Sequence, residues 1–135
     1  MNTVLLAVLL GLWNGVGMVI ALSGLDFRNA LYSGLVTGLL VGDVALGFQV
    51  GAACLLMSIG FYTFGGATVP DYITGSIFGV IAGKQAGSYE YGLTMATLLG
   101  LLMTQMDILG RSTTTVFQHK ADSALAANDI PSFER

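Results

Sequence analysis

The sequence predicts an all-α integral membrane protein that combines spanning helices with short, glycine-rich half-length helices, re-entrant or broken. Three observations carry this prediction. Hydrophobic residues make up 54% of the 135 residues and charged residues only 10%, against about 25% charged in soluble domains, and the mean hydropathy is +0.77. The apolar runs are unequal: some reach the ~20 residues that a bilayer crossing needs, and others fall well short. Glycines recur at every fourth position within several runs, which on a helix makes a flat stripe where another backbone can approach closely.

Residues 3–22 are long enough to cross at ~1.5 Å per residue. No basic stretch precedes them, so they read as a retained span rather than a cleaved signal. A polar elbow, SGLDFRN, follows with Asp26 and Arg28. Residues 30–42 are apolar but too short to span alone. After Asp43, residues 44–62 run on into GFYTFGGATVPDY, residues 60–72, where adjacent glycines, a proline and a carboxylate interrupt an otherwise apolar chain. Residues 72–83 form a second short run that stops at Lys84, and residues 91–109 are again long enough to cross. The chain thus divides into a membrane domain, 1–110, and a polar part, 111–135. There Val116, Phe117, Ala121, Ala124 and Leu125 fall on one helical face, which places a helix at the membrane surface before the tail frays. Arg111 and Lys120, with His119, put the end of the last crossing helix on the cytoplasmic side by the positive-inside rule.

Gly34, Gly38 and Gly42 are four apart, as are Gly75, Gly79, Gly83 and Gly87. Such faces serve packing within this chain or against another subunit, and spacing alone leaves both open. The two series also raise an internal repeat, but their flanks match at little more than Tyr32 and Tyr72, so none is inferred.

Several function classes drop out. Basic residues are scattered along the chain, which leaves no footprint for nucleic acid. The formal charge of −3 owes much to Asp122, Asp129 and Glu134 in the polar tail. Cys54 is the single cysteine, so this chain builds no disulfide or metal framework of its own. No nucleophile–base pair, metal cluster or phosphate loop is visible, and no cofactor is implied.

The break at residues 60–72 carries the functional argument. In hydrocarbon each unsatisfied backbone group costs several kcal/mol, so irregular backbone at membrane depth requires surrounding protein or a water-filled cavity. Short, glycine- or proline-interrupted apolar segments are also the best sequence pointer to a transporter's binding site. Asp71 either faces a pathway or caps the next helix, and Asp43 faces the same choice. The candidate binding residues are Asp71, Gly65, Gly66, Thr63, Thr68, Pro70, Asp43 and Gln49. With the rings of Phe61, Tyr62, Phe64 and Tyr72 they make a neutral, hydrogen-bonding, ring-stacking surface that suits a sugar better than an ion or a lipid.

Three ordered stretches, GLLVGDVALGFQVGAACLLMSIG, GGATVPD and TTTVFQHKAD, resemble the membrane IIC component of the mannose/fructose/sorbose family of the bacterial sugar phosphotransferase system. On that resemblance Gly42, Asp43, Gly47, Gly51, Gly60, Gly65, Pro70 and Asp71 are matching motif positions. It implies a multi-pass subunit of the bacterial inner membrane, surrounded by lipid. With a IID partner it would form a path for a hexose or amino sugar, which a IIAB protein phosphorylates. The phosphohistidines belong to those soluble units, so His119 is a surface residue. Leu55 stands where many relatives have glutamate, and Thr63 where they have asparagine. Chains of the family are roughly twice as long, so the resemblance covers an N-terminal half. Two other readings remain: a truncated or scaffolding membrane subunit without transport of its own, and a small multidrug-type exporter, although residues 3–22 lack the acid that such an exporter needs.

Overall fold

The computed structural model describes residues 2–21, 29–60 and 70–126, and its regular elements there are all α-helices. They are α1 (Thr3–Ala21), α2 (Ala30–Val41), α3 (Val44–Ser58), α4 (Tyr72–Ala86) and α5 (Tyr89–Ala126). The chain divides into two units, Met1–Thr104 and Gln105–Arg135.

The first unit is built from two antiparallel helical hairpins of one design. In the first, Asn29 caps α2 by accepting from the Tyr32 amide. The helix ends at Gly42, whose φ of 78° is left-handed and free of strain only for a residue without a Cβ. The amide of Gly42 returns to the Leu39 carbonyl and that of Asp43 to Gly38 at 2.8 Å, the paired bonds of a Schellman ending. Asp43 then caps α3. In the second hairpin Asp71 caps α4, Gly87 closes it with a φ of 66°, the Ser88 amide returns to the Gly83 carbonyl, and the Ser88 hydroxyl accepts from the Tyr91 amide at the start of α5.

The helices of each hairpin meet backbone to backbone. A Cβ built on Gly34 would lie 2.6 Å from the Gly47 carbonyl oxygen, and one on Gly47 would lie 2.6 Å from that of Gly34. Gly38 and Gly51 continue the seam against Gly47 and the Ala30 and Leu31 carbonyls. In the second hairpin Gly79 meets Gly92 and Ala96, Gly83 meets Gly92, and Gly75 abuts the Ala96 carbonyl. The glycine series therefore pack within this chain. They also mark a structural repeat that the flanking residues conceal: aligned on their turns, Gly79 stands where Gly34 does, Gly83 where Gly38 does, Gly92 where Gly47 does and Ala96 where Gly51 does. Tyr32 and Tyr72 are not equivalent, because α4 extends further before its turn than α2 does.

Between the hairpins lies a core of small side chains. Val50, Val80, Thr37, Thr104, Cys54, Ser33 and Ser76 are all fully buried, and Leu55 packs against this cluster half-buried. The hydroxyls of Thr37, Ser76 and Thr104 donate to the carbonyls of Ser33, Ile73 and Gly100 on their own helices, which removes the cost of burying them. Helix α1 meets α2, where the Trp13 indole reaches Ser33 at 3.5 Å.

Among the described residues one helix, Tyr89–Ser123 within α5, is long and apolar enough to cross a bilayer, and Thr3–Gly17, Ala30–Val41 and Val44–Ser58 are apolar but shorter. The expected span 3–22 reaches beyond the described residues at Leu22. Where the hydropathy pattern ends near residue 109, the helix does not: α5 continues to Ala126. In the second unit Asp107 and Arg111 pair one turn apart at 3.0 Å, and Thr113, Thr114 and Thr115 bond the carbonyls four residues back. No proline interrupts this stretch, so the backbone ladder carries on whatever the side-chain polarity.

Gly47→Ala adds one methyl group to a contact with no side chain to move aside, and the expected loss is about 1–3 kcal/mol. Gly11→Ala is the matched control, since nothing lies within 4 Å of its added Cβ and alanine gains up to ~1 kcal/mol of helix propensity. Thermal unfolding in detergent should show the first variant melting lower and the second unchanged or higher; equal melting would refute the backbone seam.

Candidate functional site

Of the residues expected to bind, Thr63, Gly65, Gly66 and Thr68 lie outside the described residues, as do Phe61, Tyr62 and Phe64. The near edge of the break is described, and it is firmly held. Pro70 is buried. The Asp71 amide donates to the Thr104 hydroxyl at 2.9 Å and to the Gly100 carbonyl at 3.2 Å, so the chain entering α4 is fastened to α5. Gly100 allows this because a Cβ there would sit 3.0 Å from the Asp71 carbonyl oxygen.

The Asp71 side chain caps its helix. One oxygen accepts from the Thr74 amide at 3.1 Å and the other from the Thr74 hydroxyl at 2.6 Å. A carboxylate offers about four lone-pair sites, so capping leaves acceptor capacity on both oxygens. Cap and ligand acceptor are compatible roles for this residue.

Asp43 and Gln49 belong to a different place. Asp43 is bound to Lys84, which sits at the far end of α4 from Asp71, and a helix rising ~1.5 Å per residue puts these ends about 20 Å apart. The structure therefore does not bring Asp43 and Gln49 together with Asp71. Instead the two hairpin tips lie side by side around a polar pocket of about 340 Å³, lined by Asp43, Gln49, Lys84, Ser88 and Tyr89 among others. One Asp43 oxygen accepts from the Leu46 amide at 3.1 Å and the other from the Lys84 ammonium at 3.0 Å. The Leu46 amide first, and then Lys84, hold the Asp43 carboxyl below its usual range. Ser88 donates to Glu90 at 2.8 Å, and Tyr89 is half-buried against the core cluster.

Sequence reasoning took Lys84 only as the end of an apolar run and passed over Ser88 and Tyr89. A signal was available: glycine followed by a capping residue occurs at Gly42–Asp43 and again at Gly87–Ser88, each closing an i, i+4 glycine series. A second, apolar slot of about 370 Å³ lies between α1 and α4 against Leu6, Leu10, Ile77 and Phe78, and it offers little hydrogen bonding.

Comparison with known proteins adds a consistent set of likenesses. The family model described as the sorbose-specific IIC component of the phosphotransferase system (PTS) matches residues 4–135. The mannose-specific EIIC component of Escherichia coli K12 is 32% identical over 111 residues, covering 80% of this chain and 41% of the relative. The sorbose-specific EIIC component of Klebsiella pneumoniae gives the same identity and coverage. That of Lacticaseibacillus casei is 29% identical over 119 residues, 85% of this chain and 42% of the relative. The chain thus spans about two-fifths of the length of these relatives. No solved structure matches it significantly.

Asp71→Ala removes both bonds to Thr74 and should cost about 1 kcal/mol of stability, whereas Asp71→Asn retains a capping oxygen and should cost less. Thermal unfolding of the two variants beside the parent tests the cap, and an alanine variant as stable as the asparagine one would contradict it.

Proposed function

This chain belongs to the family of sorbose-specific IIC components of the sugar phosphotransferase system, and we propose that it supplies part of the hexose pathway of such a system. In this reading it is a multi-pass subunit of the bacterial inner membrane. It works with a IID membrane subunit and delivers a hexose or amino sugar to a IIAB protein that phosphorylates it. It carries no phosphorylated residue itself, and the exposed His119 on α5 has no part in phosphate transfer.

The observation that carries the reading is the way the break ends. A chain that enters α4 through a buried proline and through Asp71, whose backbone amide is tied to α5, has a fixed position where the break ends. Transport sites near the bilayer midplane are typically made where short or discontinuous helices leave peptide groups and capping residues facing a cavity. Gly65, Gly66, Thr63 and Thr68 would then present backbone and hydroxyl groups to the sugar, next to Pro70 and the free lone pairs of Asp71. Gly65 and Gly66 admit a sugar ring close to the backbone because no Cβ intervenes.

The chain matches 41% of its E. coli relative, and in this reading the rest of the pathway is supplied by further IIC polypeptide together with a IID subunit. Liposomes containing this chain as their sole protein should therefore show no saturable hexose uptake, while the complex assembled with a IID subunit and the complementary IIC segment should bind labelled hexose. Saturable uptake by the chain alone would overturn the requirement for partners. Within the complex, Asp71→Asn keeps the cap but loses the charge, and a charge-assisted hydrogen bond of roughly 1.5–3 kcal/mol corresponds to a loss of about 10- to 100-fold in affinity. Unchanged binding by this variant, at equal membrane levels, would remove Asp71 from the sugar site.

A further inference from the structure

The pocket at the hairpin tips has a chemistry of its own, and we propose that it is a second hydroxyl-binding station for the transported sugar, with Lys84 and Gln49 as its contacts. This rests on the translocation reading above and adds a place and a pair of residues to it. At about 340 Å³ the pocket falls within the range of small-molecule sites.

Its polar groups have capacity to spare. Lys84 has three N–H donors, Asp43 takes one at 3.0 Å, and the side chain keeps 42% of its exposure. The Gln49 amide and the Tyr89 hydroxyl make no side-chain hydrogen bond among the described residues. Each Asp43 oxygen accepts one bond where it has room for about two.

Charge selects the ligand class. The ammonium is already paired with a carboxylate, and Glu90 lies just beyond through Ser88, so an anion gains nothing here. A neutral polyol does, because each hydroxyl both donates and accepts and can bridge the ammonium to the carboxylate or the amide. Tyr89 is fixed by its packing on the core and gives the ring a face to lie against. The station is separate from the one at Asp71: about 20 Å along α4 lies between them, farther than one hexose reaches.

The test uses the assembled complex in membranes, with a labelled hexose and its monodeoxy analogues as probes, and with subunit levels checked for each variant. Lys84→Met should weaken the second of two hexose-binding phases about tenfold and Lys84→Arg less, with the Asp71 phase unchanged. One monodeoxy analogue, already about tenfold weaker on the parent, should bind the Lys84→Met variant no more weakly than the parent, because the hydroxyl that Lys84 contacts is absent from it. If Lys84→Met fails to assemble, Gln49→Leu, at an exposed position outside the ion pair, is read the same way. Parent-like hexose binding by these variants, or an equal loss across all analogues, would overturn the station and leave Lys84 a tie between hairpins, with translocation untouched. A parent complex with no saturable hexose binding would overturn translocation and the station together.

Discussion

Contact between bare backbones at the glycine seams is the constraint on which the first unit depends. In lipid no hydrophobic gain rewards bringing apolar side chains together, so helices associate through close van der Waals packing and shared polar groups. Both hairpins achieve this by removing side chains from the facing stripes, with the carbonyl of one glycine lying where the Cβ of its partner would be. The left-handed glycines Gly42 and Gly87 turn the chain tightly enough for the stripes to meet. The positions of Asp43, Ser88 and Lys84 follow from those turns, and that of Asp71 follows from the seam that brings Gly100 against α4.

Much of this was legible, and the gaps have physical causes. The short helices and two of their caps could be read because Asp43 and Asp71 are residues that compete for helix N-termini, and because glycine spacing marks a face. Spacing does not say which face opposes which: Gly34 finds Gly47 and Gly51 only once the turn sets the register. The repeat was hidden for a related reason, since what is repeated is the absence of side chains, and the aromatic residues that catch the eye sit out of register. Lys84 and Asp43 are 41 residues apart in the chain, so no local pattern joins them. The crossing run 91–109 and the polar helix after it are one continuous α5, because hydropathy reports the solvent of side chains while the helix is held by its own backbone bonds. The family resemblance read from the motifs around Asp43 and Asp71 agrees with the family whose model covers residues 4–135.

The two acids show how one residue type can be read twice. Asp43 and Asp71 each use one lone pair per oxygen for a local bond, which fixes the carboxylate in a single orientation before any ligand arrives. Such preorganisation lowers the entropy lost on binding. A capping role and the proposed recognition role are therefore compatible, since the first would prepare the second.

The small-residue core has a consequence for how this protein tolerates change. Most cores are vulnerable to truncation, because a large side chain removed leaves a cavity. Here the fully buried side chains are those of valine, threonine, serine, cysteine and alanine, with glycine along the seams, so truncation finds few large targets beyond Leu46, Tyr72 and Ile77, and enlargement at the seams meets main chain. Along the seams the sequence is consequently confined from above: drift towards larger residues there is blocked by main chain. Relatives of this unit should keep glycine where the seams meet main chain, admit alanine only at positions such as Ala96, and keep their bulk for the outward faces of the helices.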